Sequence, residues 1–310
     1  MMPSRPAGLG ENQEMRDPFD AWTQHMLTPA QLDTWHREGC LVLPGFKTTA
    51  ETTAVCARAH AIVAAFEPDA TSSRFSTRDR SKLADTALIA SADQVHCFFE
   101  EEALDDAGRL RVPKARSINK IGHALHDRDA VFEAFSHGPA LAELAADLGL
   151  LQPQVWQSQV IFKQPHIGGE VGWHQDASFF VTTPQTVTTF WFALEDATLD
   201  NGCLWVQPGG QHSPLREQYV CDHARGTLMM RPLDTMPWPT TAEARPLPVA
   251  AGTLVVFGGL LPHCSAPNRS PKSRLAYTLH VTDSRAAYAA ENWLQRSAGF
   301  PVRGLVAAAN

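Results

Sequence analysis

His174 and Asp176 stand at alternate positions in "GWHQDASFF", among apolar and aromatic residues. An imidazole and a carboxylate are costly to bury without partners, and a divalent ion would satisfy both. On a strand, residues i and i+2 face the same side, so the pair can aim at one point. Two ligands hold a catalytic ion poorly. A third donor is available in His263, which follows the strand-like run "GTLVVF". Two histidines and a carboxylate on one side of a metal leave positions open, which suits non-haem Fe(II). Beyond His263 comes the turn-rich "APNRSPKS", and a new strand opens at Arg274. A hairpin of that length is expected to return Arg274 to the His263 end of its partner strand. Its guanidinium would offer a planar fork for a carboxylate. Such a fork is what the distal carboxylate of 2-oxoglutarate needs while its other end chelates iron. A lone H-x-D carries little weight, since such pairs arise by chance. The ordered set of triad and arginine on expected strands carries the reading.

Other residues are weighed against blander roles. Lys120 in "SINKIGH" lies between Ile118 and Ile121. Either its ammonium has a buried partner or its stem snorkels to water. His36 and His60 sit on amphipathic helices and are expected at or near the surface. His137 reads as a turn residue, His166 as part of a loop, and His280 as a mid-strand residue beside the site or in the core. Trp191 in "TTFWFALE" has the pattern of an aromatic that fills a barrel. Cys264 reads as packing. The acidic "FFEEEALDD" (98–106) is expected to be a solvated loop.

The elements that must position these residues fall into two blocks. Residues 1–26 read as a flexible tail, and 27–310 as a single domain. Thr28 can cap a helix with Pro29 first and Gly39 at its end. "TTAE" from Thr48 is a capping box with Glu51, opening a helix to about Phe66. Pro139 opens a third helix, closing near Gly149. From about residue 153, "VWQSQVIFK", "TVTTFWFALE", "CLWVQP", "GTLVVFGG" and "LAYTLHVTD" are short β-branched or aromatic runs between turn residues. Such a series suggests a jelly roll, mainly β with flanking helices.

Composition narrows the function classes. The chain has 310 residues, 44% hydrophobic and 19% charged, with a net charge of −7 and no basic run to match a phosphate backbone. A nucleic-acid partner is not expected, nor is a membrane, since no apolar run is long enough to span one. The six cysteines are scattered, without a C-x-x-C pair. Free thiols in a reducing cytoplasm are the expectation.

The order H-x-D, distant histidine, then arginine resembles the phytanoyl-CoA dioxygenase family. "SINKIGHALH", "IFKQPHIGGEV", "HQDASF", "EDATLDNGCLW", "RLAYTLH" and "ENWLQ" carry the likeness, over about residues 27–297. The resemblance implies an Fe(II)- and 2-oxoglutarate-dependent oxygenase on a double-stranded β-helix, using O2 and hydroxylating a small organic molecule, with an acyl-CoA among the candidates. It assigns iron to His174, Asp176 and His263. It assigns 2-oxoglutarate contacts to Lys120, Gln159, Gln175, Trp191, Ser265 and Arg274. Gln159 departs from the methionine usual in the closest subgroup, and the stretch 216–248 matches poorly. Two other readings stay open: a cupin-type metalloenzyme that does not use 2-oxoglutarate, and a jelly-roll metal-binding protein without catalysis.

Overall fold

Local capping chemistry starts the N-terminal helices where the sequence places them. Thr28 caps Pro29–Glu38 in a capping box with Gln31, and Gly39 ends it in the left-handed region at φ 74°. Thr48 and Glu51 form a second box at the head of Thr49–Ala65. The helix Pro139–Asp147 opens on its proline. The computed structural model describes residues 25–67, 74–75 and 86–306, so nearly all of the expected tail lies outside it.

Two sheets face each other. The larger runs, in spatial order, β1 (Cys40–Leu43), β13 (Leu254–Gly258), β8 (Thr188–Ala193), β15 (Arg274–Asp283), β5 (Pro153–Lys163), β4 (Ile118–His123), β3 (Val95–Glu100) and β2 (Arg74–Phe75), with β17 (Arg303–Gly304) also on β5. The smaller runs β12 (Arg245–Leu247), β9 (Leu204–Val206), β14 (His263–Ser265) and β6 (Val171–His174). A hairpin of β10 (Glu217–Asp222) and β11 (Thr227–Pro232) occupies much of the stretch 216–248. β7 (Thr182–Thr183) pairs with β16 (Ala287–Tyr288).

The strand period of two divides the large sheet into faces. Leu275, Tyr277 and Leu279 of β15 join Val160, Phe162, Phe190 and Phe192 under the helices, where Val55, Phe132 and Leu144 cover them. Burying each such side chain contributes about 1.5–3 kcal/mol. On the opposite face, Trp191, Val255, Phe257 and Ala276 pack against Leu204, Val206 and Leu247 of the small sheet. All ten residues of β15 are buried, so its polar members Arg274, Thr278 and His280 point between the sheets. The acidic run is not a solvated loop throughout. Phe98, Phe99 and Glu100 belong to β3 and are buried. Asn119 and the Gly169 amide donate to the Glu100 carboxylate. Among the described residues no helix is long and apolar enough to cross a membrane.

Candidate active site

β6 and β14 are antiparallel neighbours, with His174 directly opposite His263 and their ring centroids 4.1 Å apart. Asp176 reaches the same point by another route. β6 ends at His174, and Asp176 opens a short 3-10 turn, Asp176–Ser178. Contrary to the expectation of a shared strand, a turn and not the strand pleat swings the carboxylate inward. One donor atom from each of the three lies within 4.8 Å of the others. The Nδ1 of His174 donates to the Gly172 carbonyl at 2.9 Å, and the Nδ1 of His263 to the Leu261 carbonyl at 3.0 Å. A carbonyl only accepts, so each Nδ1 carries the proton and each Nε2 offers a lone pair. Thr189 donates to Asp176 Oδ2 at 2.6 Å, and His280 Nε2 lies 3.5 Å from the same oxygen. Asp176 Oδ1 lies 3.5 Å from His174 Nε2.

The electrostatics suit ligation. Burial, reinforced by His174, pulls the His263 imidazole down to about 4, so it is neutral at pH 7. Burial opposes ionisation of Asp176, but attraction to His263 and His280, and then to His174, as these imidazoles protonate, outweighs it and holds the carboxyl well below the usual range. A neutral imidazole and an ionised carboxylate are the forms a cation binds.

Arg274 faces the triad across the sandwich. It shares no hairpin with His263, because β14 lies in the small sheet while β15 pairs with β5 and β8 in the large one. Its guanidinium sits over the Trp191 ring, 5.6 Å from the centroid. Its Nε and Nη1 are buried with no hydrogen-bond partner among the described residues. Burial lowers its pKa to about 10, which leaves it charged at neutral pH. Lys120 is also buried, and burial lowers its ammonium to about 7. A bulge sets its direction: Lys120 pairs with Phe98 and Ile118 with Phe99, leaving Asn119 as the extra residue.

One cavity of about 180 Å³ is lined by the triad together with Lys120, Gln159, Trp191, Ser265 and Arg274. The Gln159 amide donates to Gln157. Gln175 is placed elsewhere. It is fully buried, donates to the carbonyls of Pro214 and Leu260 at 3.1 and 2.8 Å, accepts from the Arg216 amide at 2.9 Å, and does not line the cavity. His36, His60 and His166 are exposed, and His166 lies in a loop.

Sequence reasoning passed over Thr189 and Lys163. Lys163, opposite Arg274 in the β5–β15 register, donates to the carbonyls of Gly169, Ser265 and Ala266 at 2.6, 3.2 and 2.7 Å. It thereby fixes the backbone at Ser265. The signal was present: Gln157, Gln159, Ile161 and Lys163 alternate along one strand, and the first three line the cavity.

A sequence profile of the family described as phytanoyl-CoA dioxygenase (PhyH) matches residues 35–276. The chain is 41% identical to a phytanoyl-CoA dioxygenase of Arabidopsis thaliana over 272 residues, covering 87% of this chain and 94% of that protein. It is 39% identical to phytanoyl-CoA dioxygenase domain-containing protein 1 of Bos taurus over 282 residues, covering 89% and 97%. Among solved structures, the non-heme alpha-ketoglutarate-dependent epimerase SnoN from nogalamycin biosynthesis superposes with a TM-score of 0.59 at 18% identity, covering 87% of each chain. EctD from S. alaskensis, determined with 2-oxoglutarate and 5-hydroxyectoine, gives 0.57 at 17% identity, covering 85% of this chain and 78% of that one. At such identities these two likenesses carry the fold, a jelly roll.

Proposed function

Because the chain belongs to the phytanoyl-CoA dioxygenase family, we propose that it is an Fe(II)- and 2-oxoglutarate-dependent dioxygenase that hydroxylates a small organic substrate. 2-Oxoglutarate would leave as succinate and CO2. The observation that carries this reading is one cavity holding two imidazole lone pairs, an ionised carboxylate and, opposite them, a buried guanidinium with two unbonded nitrogens. His174, Asp176 and His263 would hold the iron. Bound Fe(II) supplies the redox chemistry that activates O2.

The remaining steps belong to the chain's own residues. Arg274 receives the distal carboxylate of 2-oxoglutarate, with Trp191 flanking the pair. Lys120 supplies a second positive charge for a dianion. Gln159 and Ser265 line the same space. Thr189 and His280 engage one oxygen of Asp176 and orient the carboxylate. Asp176 would supply a carboxylate ligand where a halide would otherwise bind, which would favour hydroxylation over halogenation.

Succinate release tests the reading. Purified protein supplied with Fe(II), O2 and 2-oxoglutarate is expected to form succinate, and a chelator is expected to stop it. A cupin-type enzyme of other chemistry, or a metal-binding protein without catalysis, would leave 2-oxoglutarate unconsumed.

A further inference from the structure

The same cavity also has an apolar, largely aromatic lining. Phe179 and Phe180 follow the Asp176 turn, Tyr219 and Met230 come from the two strands of the β10–β11 hairpin, and Trp293 comes from the C-terminal segment. Three segments far apart in sequence therefore close one space. The rings begin at the candidate metal site. Phe179 meets His174 edge-on at 6.3 Å and Tyr219 at 5.5 Å. Trp293 stands edge-on to His123 at 5.0 Å.

Asn292 ties these walls together. Its side chain accepts from the Val181 amide at 2.9 Å and donates to the Val181 carbonyl at 3.0 Å. Its own carbonyl accepts from His223 Nε2 at 2.9 Å, and it bridges Val220 of the hairpin. The motif "ENWLQ" is accounted for as the pin that holds Trp293 against the other two segments. Behind it, Tyr288 stacks on Trp156 with centroids 3.5 Å apart. The walls are thus built and fixed.

Charge decides what such walls accept. An aromatic lining alone can hold an organic cation against its ring faces. Here Lys120 and Arg274 share the cavity, and Asp176 is its single lining carboxylate among the described residues. Repulsion from the Arg274 guanidinium, and from Lys120 when it is protonated, opposes a further cation. The shape of the lining decides between a chain and a ring. Flat rings gain offset or edge-to-face contacts with aromatic partners beyond simple area burial. Among the described residues, six aromatic side chains line the cavity, Phe179, Phe180, Trp191, Tyr219, Phe257 and Trp293, against five aliphatic ones.

We propose that the substrate group held beside His174 is an uncharged ring, aromatic or cyclic and unsaturated, packed by Phe179, Tyr219 and Trp293. The word substrate rests on the dioxygenase reading, whereas the ring pocket does not. Indole, n-hexanol and phenyltrimethylammonium can be titrated calorimetrically into the full-length protein, alone and under argon with 2-oxoglutarate. Indole is expected to bind once per chain, about tenfold more tightly than either of the others. Trp293→Ala is expected to weaken indole about tenfold, and Trp293→Phe, which keeps a ring and guards against misfolding, to stay close to the parent. Absence of indole binding to the parent overturns the inference, as does hexanol or the cation binding equally well, or Trp293→Ala binding indole unchanged. Binding of 2-oxoglutarate without indole would sink this inference alone. Binding of indole in a protein that neither binds nor consumes 2-oxoglutarate would sink the dioxygenase reading and leave the ring pocket standing.

Discussion

A buried guanidinium with two unbonded nitrogens makes Arg274 the residue whose loss should be most specific. Arg274→Ala is expected to weaken 2-oxoglutarate about tenfold or more while iron binding stays nearly intact, because leaving one partner of a buried charge pair alone typically costs about 3–5 kcal/mol. Arg274→Lys is also expected to be impaired, since an ammonium lacks the two-pronged fork. Titrations of 2-oxoglutarate that match the parent for both variants would refute the assignment. Lys120 carries a pH signature. Burial lowers its pKa to about 7, below its ordinary 10.5. Between those values the unfolded chain holds a proton that the folded protein lacks, so this group's contribution to stability rises with pH across that window. A bound dianion favours the ammonium and raises its pKa. Binding of 2-oxoglutarate at pH 8 is therefore expected to take up protons, and its affinity to fall as pH climbs above about 7. Calorimetry in buffers of different ionisation heat measures the uptake. Lys120→Met should abolish it, and equal uptake in the two proteins would remove Lys120 from the site.

Short elements were legible where their signals are local. The cap at Thr28 with Pro29 behind it and the capping box at Thr48 involve residues at most three apart, and both helices start where those signals place them. Thr48→Ala is expected to lower stability by about 1 kcal/mol. Because that helix packs on the outer face of the large sheet, 2-oxoglutarate affinity should not move, and a matching loss of affinity would show that the helix reaches the site. Strand pairing was less legible, since partners are chosen by distant packing. His263 and Arg274 look like the two ends of one hairpin in sequence, yet they lie on opposing sheets. Asp176 looks like a strand residue, yet it opens a turn. Gln175, between two ligand candidates, turns to the Pro214 and Leu260 carbonyls instead. The bulge at Asn119 aims Lys120 inward, and no local spacing announces it.

At the scale of the molecule, the jelly roll gives one cavity two ends. Its polar end gathers residues that sequence motifs had brought together in a plausible order. Its aromatic end is made by the hairpin and the C-terminal segment, whose convergence is a property of the folded chain. This is why the candidate metal site could be read from the sequence and the ring-lined wall could not. The central claim is that His174, Asp176 and His263 form one iron site, and iron content measured after anaerobic loading with Fe(II) tests it most directly. The parent is expected to retain one Fe(II) per chain, and His174→Ala and His263→Ala to lose it. Full iron retention in both variants would contradict the account.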